Sequence, residues 1–139
     1  LREVTEIESI GDSCYNLART INRKRSGGND FTEKQYEHIH QMMQLTSDAL
    51  AQMIAVVEDE HHVVDVNKSF NIENEINNYR AQLKNQNVLD VNNKEYDYQM
   101  GVHYMDIIGE CEKLGDYVVN VVEARTNVKE KKTGDNRWL

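Results

Sequence analysis

No proline interrupts this chain. Proline removes a backbone donor and clashes with the preceding helical turn. Its absence, joined to apolar residues recurring at spacings of three and four, favours long unbroken helices. Four are expected. The first spans about 1–25, with a stripe of Val4, Ile7, Gly11, Cys14, Ala18 and Ile21, and ends in Arg23, Lys24 and Arg25. Cations there suit the negative end of the helix dipole. The second, about 31–58, carries the cleanest stripe: Tyr36, Ile39, Met43, Thr46, Leu50, Met53 and Val57. Asp30 is its expected cap, with Glu33 as the reciprocal member of a capping box. The third runs over about 61–87 through Val63, Val66, Phe70, Ile72, Ile76, Tyr79 and Leu83. The fourth, about 94–127, presents Tyr104, Ile108, Cys111, Gly115, Val118 and Val122. Short connections then give an all-α, antiparallel up-down-up-down bundle. The bundle is expected over residues 1–128, followed by a solvated tail over 129–139.

One pattern occurs twice. Glu6-Ile7-Glu8-Ser9-Ile10-Gly11-Asp12 leads to Asn16-Leu17, and Glu110-Cys111-Glu112-Lys113-Leu114-Gly115-Asp116 leads to Asn120-Val121. Every matched position is offset by 104 residues. The offset maps the first helix onto the fourth. Helix 1 therefore reads as the last helix of an earlier repeat, and helices 2 to 4 as a complete three-helix repeat. Leu1 falls inside a helical pattern without an initiator Met, so a fragment is expected, with more of the first repeat upstream.

Within each copy two carboxylates lie four residues apart, Glu8 with Asp12 and Glu112 with Asp116, on one helix face. Like charges at that spacing repel. Each pair flanks a glycine on the stripe, which costs about 1 kcal/mol of helix propensity against alanine. Close approach of a neighbouring backbone or ligand is the expected return. Two copies of a locally unfavourable arrangement point to cation binding, since hard cations and iron accept oxygen ligands. Glu73, in line with Phe70 on helix 3, is a further candidate oxygen ligand, with Asn77 beside it. Asn16 and Asn120 recur with the motif and suit a hydrogen-bonding role. Bundle dimetal sites usually add Glu-x-x-His, and no His follows a motif Glu at that spacing. The plain alternative is that these acids form a solvated helix face.

A net charge of -8 argues against a nucleic-acid partner. No apolar run approaches the length needed to cross a bilayer. Two cysteines make no disulfide framework, and both fall on expected core stripes, as reduced structural thiols would. The five histidines do not cluster. No catalytic constellation or phosphate-cradling loop is present, so an enzyme is not expected.

The repeated Glu-x-[aliphatic]-Gly-Asp, near the end of each helical unit, resembles the PhoU family. Ile72-Glu73-Asn74-Glu75-Ile76-Asn77 is similar to the middle helix of such a unit. The resemblance implies a regulatory or accessory domain of a phosphate transport system. It also implies divalent or iron ions held by Glu8, Asp12, Glu112 and Asp116, with Glu73 added. The fragment's shape and its wealth of Asn and Lys favour the cytoplasmic C-terminal part of a protein like the sodium/phosphate cotransporters. The expected partner is then the membrane transporter domain of the same parent chain, or other phosphate transport machinery, with a homodimer left open. The expected location is the cytoplasmic side of the membrane, as a soluble domain of an integral membrane protein. One departure is that Ser9 and Lys113 stand where family members commonly carry Arg. Two rivals remain: a metal-free helical protein-interaction bundle, and, less well supported, a carboxylate-bridged di-iron oxidase.

Overall fold

The computed structural model describes residues 2–26 and 30–130. Four α-helices account for most of them: α1 (Arg2–Ser26), α2 (Glu33–Val57), α3 (Asn67–Asn92) and α4 (Tyr98–Thr126). The Gly27–Gly28 loop and the tail from residue 131 onward lie outside the described residues.

Local chemistry sets the helix ends. Thr32, rather than Asp30, caps α2: its hydroxyl accepts from the Gln35 amide at 3.1 Å, and the Gln35 side chain accepts from the Thr32 amide at 3.0 Å. Asp30 instead accepts from the Phe31 amide and the Tyr36 hydroxyl. The expected start of α3 near residue 61 is also corrected. The Asp59 carboxylate accepts from the Val64 amide at 2.8 Å and ties residues 59–64 into a loop. His62 there has a positive φ of 56°, and Asp65 accepts from the Asn67 amide at 3.0 Å, where the helix begins. Val63 is accordingly left 81% exposed. Asp97 caps α4 by accepting from the Met100 amide at 2.7 Å. Asn127, at φ 58°, ends it in the left-handed conformation.

Cross-helix contacts give the directions. Arg125 Nε donates to the Val57 carbonyl, and His38 meets Tyr104. The near-constant offset makes α2 and α4 parallel. Tyr79 donates to Gln41 across an antiparallel α2–α3 pair. The space above Gly101 is taken by Asn87 and Val91, and that above Gly115 by Ile76, so α3 and α4 are antiparallel. These three helices close around one core in which Met42, Ile76, Ile108, Cys111 and Val122 are almost wholly buried.

α1 stands apart from that bundle and, among the helices, packs on α4 alone, with Lys24 also lying over the Phe31 ring just before α2. Its buried residues are Ile10, Ser13 and Leu17, with Asn120 Nδ2 donating to Glu6 Oε2 across the pair at 3.3 Å. The stripe expected for helix 1 is therefore corrected. Val4 and Ile7 are 51% and 45% exposed, and Gly11, Cys14 and Ala18 are exposed too. On a helix with one neighbour, only the face toward that neighbour is covered. The α2 seam is likewise rotated, with Met42 at its centre and Met43 40% exposed.

Candidate functional site

The glycine of the second motif does what its position suggests. A Cβ on Gly115 would lie 3.3 Å from Ile76 Cδ1 and 4.0 Å from Glu73 Cγ, so α3 approaches α4 at this notch. Glu73 is 2% exposed there, and Asn77 Nδ2 donates to its Oε1 at 2.9 Å. On the neighbouring edge Glu112 Oε2 lies 3.2 Å from Arg80 Nε. That ion pair supplies a cation beside one motif carboxylate, four residues after Ile76 on the same helix. Lys113, in the place of the expected Arg, pairs with Glu110 at 3.5 Å.

Glu112 and Arg80 form one wall of a groove of about 480 Å³ running between α1 and α3 along α4. Asn16 and Arg19 line it from α1, and Glu110 and Lys113 from α4. Asp116 is exposed farther along α4, and Glu8 and Asp12 are exposed on α1. Glu73 is separated from the α1 acids by α4. Within the described residues no three His, Cys, Asp or Glu side chains come together as a metal-holding group. The five candidate oxygen donors are thus distributed over three places: a solvated pair on α1, a motif pair on α4 with Glu112 bound to Arg80, and a buried acid on α3.

A second polar feature escaped the sequence reading. One end of the α2–α3–α4 bundle holds a cavity of about 230 Å³, lined among others by Gln35, His38, Asn87, Asp90, Tyr96 and Tyr104. His38 Nδ1 lies 3.1 Å from the Tyr104 hydroxyl, and Tyr96 donates to Asn87 Oδ1 at 2.6 Å. Burial, helped by Lys34, lowers the His38 pKa below its usual value, which favours the neutral ring. Burial pushes Tyr96 up to about 12 and Tyr104 up further, so both phenols stay protonated at neutral pH. The available signal was Gln35, a polar residue in phase with the buried Ile39, Met42 and Thr46 seam of α2.

No helix among the described residues is long and apolar enough to cross a membrane. Comparison with curated proteins and with solved structures gives no match. Residues 39–124, which carry most of α2, all of α3 and most of α4, match the PhoU domain over more than half of the chain. With that match over the three-helix core of α2, α3 and α4, this chain belongs to the PhoU domain family.

Proposed function

We propose that this chain is a non-catalytic regulatory domain acting on phosphate transport through protein contacts, as the cytoplasmic part of a sodium/phosphate cotransporter-like protein. The observation that carries the reading is the PhoU match laid over the α2–α4 bundle. The test is phosphate uptake in the native host after residues 1–128 are removed from their parent protein. Altered uptake or altered response to external phosphate is the expected outcome. Unchanged uptake at both low and high phosphate overturns the proposal.

Metal binding by the repeated carboxylates belongs to the same proposal. The donor chemistry fits: Glu8 with Asp12 and Glu112 with Asp116 offer hard oxygens four residues apart, suited to divalent or iron ions. Glu73 would add a donor from α3. At Glu112 a metal ion must compete with the Arg80 guanidinium at 3.2 Å. Arg80→Gln should therefore tighten binding of Mn²⁺ or Mg²⁺ measured by calorimetry, and Glu8→Gln with Glu112→Gln should weaken it. Equal absence of binding in all three proteins removes the metal from the proposal and leaves the domain as an interaction bundle. That second reading is favoured by the Glu112–Arg80 pair, which already neutralises a motif carboxylate without a metal.

A further inference from the structure

The polar cavity at one end of the α2–α3–α4 bundle holds a donor with no acceptor in the protein. Gln35, one of its lining residues, is only 3% exposed. Its Oε1 accepts from the Thr32 amide at 3.0 Å. A backbone N–H can be met only by the oxygen of a side-chain amide, so the orientation of this amide is fixed and Nε2 is the atom left over. Nε2 donates to no group among the described residues. The Tyr96 hydroxyl lies near enough to feel Gln35, yet it is drawn to Asn87 Oδ1 at 2.6 Å. Buried amide donors ordinarily find an acceptor. Here the acceptor has to come from outside the chain.

Charge divides the cavity into two poles. α2 and α3 are antiparallel, so the first turn of α2 lies beside the last turns of α3. Lys34 and Gln35 belong to the α2 side, where the helix dipole is positive. Asp90, near the end of α3, and Glu95, just after it, belong to the other side, where the dipole is negative. Both poles act on the His38 ring. Burial and then Lys34 lower its pKa, against the opposing pull of Glu37 and Asp90. The volume of about 230 Å³ lies below the roughly 300–1,000 Å³ of sites for drug-sized ligands, so the occupant is small. Inorganic phosphate suits the cavity poorly, because it would approach two carboxylates of its own sign. A simple amine would satisfy the acids and leave Gln35 Nε2 without an acceptor.

We infer that this cavity binds a small zwitterion of the size of a free α-amino acid, with its acid group toward Gln35 and Lys34 and its ammonium toward Asp90 and Glu95. Gln35 Nε2 supplies a directed hydrogen bond to a carboxylate oxygen, and Lys34, at the exposed rim, supplies the matching charge. Asp90 accepts from the ammonium. Residues of α2, α3 and α4 all line the cavity, so the ligand joins three helices at one end and favours the folded bundle. The site shares no residue with the repeated motif or Glu73. It is independent of metal binding and of any role in phosphate transport.

The probes are alanine and serine. Ethanolamine lacks the acid group, propionate lacks the ammonium, and glycerol is a neutral hydroxylated control. Calorimetry and NMR on the 139-residue chain read binding, with the Gln35 side-chain amide as the local reporter. Alanine or serine should bind saturably, shift the Gln35 amide resonances and raise the melting temperature with concentration. Ethanolamine, propionate and glycerol should each bind about tenfold more weakly or worse. Gln35→Glu keeps the capping box, because a glutamate oxygen also accepts from the Thr32 amide, and it replaces the Nε2 donor by an acceptor. It should weaken binding by about tenfold or more. Asp90→Asn should do the same from the opposite pole, whereas Asp48→Asn, exposed elsewhere on α2, should change nothing. The inference is overturned if neither amino acid moves the Gln35 amide, or if ethanolamine, propionate, glycerol or inorganic phosphate binds there as tightly as they do. It is also overturned if Gln35→Glu or Asp90→Asn binds like the wild type, or if Asp48→Asn loses as much affinity as Asp90→Asn.

Discussion

His38 shows how much one residue's surroundings decide. Its ring contacts the Tyr104 hydroxyl at 3.1 Å, and burial, followed by Lys34, lowers its pKa. A histidine whose folded pKa is depressed contributes stability that is present above its unfolded pKa and lost as pH falls through the folded one. Melting temperatures are therefore expected to drop as pH falls below about 6.5, and His38→Gln should flatten that limb. Equal acid sensitivity in wild type and variant would contradict the assignment. Cys111 behaves in the opposite sense. Burial raises its pKa to about 11, so the neutral thiol is the folded form and stability is lost as pH climbs above about 9. The two motif glycines offer a cleaner contrast. Gly11→Ala should stabilise the chain by about 1 kcal/mol, since helix propensity improves and no neighbour is displaced. Gly115→Val should destabilise it by about 1–3 kcal/mol, because Ile76 is held in a close-packed core. Chemical denaturation of both variants measures the difference in sign.

At the scale of the element, each helix end traces to one or two side chains. The Thr32–Gln35 capping box satisfies two otherwise orphaned donors at the start of α2. Thr32→Ala should cost about 1 kcal/mol, read as a shift in denaturation midpoint. Asp30→Ala should cost less, because Asp30 serves Phe31 and Tyr36 rather than the helix backbone. The existence and direction of all four helices were legible in the sequence because proline is absent and the apolar spacing is sustained. The boundaries were less so. Ser, Thr, Asp and Asn cap interchangeably in sequence, and Asp30 and Thr32 lie close enough that only backbone geometry selects one. Asp59 ends the expected run into α3 through a hydrogen bond to Val64 five residues away, a contact that periodicity does not encode.

For the whole molecule, the arrangement of helices rather than their number is what matters. α4 is central, with α2 and α3 on one side and α1 on another. Because α1 packs on α4 alone among the helices, a chain lacking residues 1–29 should still fold cooperatively as α2–α4. Exposure of Leu114 and Val121 at about 1.5–3 kcal/mol each should lower its stability by roughly 3–6 kcal/mol. Ellipticity should fall in proportion to the 25 residues of α1. A non-cooperative melt would show instead that α1 belongs to the same folding unit.

Composition and period determined the helices, the repeat that equates α1 with α4, and the five candidate carboxylates, because each depends only on residues close along the chain. The tertiary structure decided what each copy of the motif faces. Glu112 meets Arg80, Glu73 is buried against α4, and Glu8 and Asp12 face outward. It also moved Cys14 from an expected core position to the surface and gathered Gln35, His38, Tyr96 and Tyr104 around one cavity. Two helices with one sequence pattern bury different faces because burial depends on how many neighbours a helix has, and that number is set by residues far away in the chain.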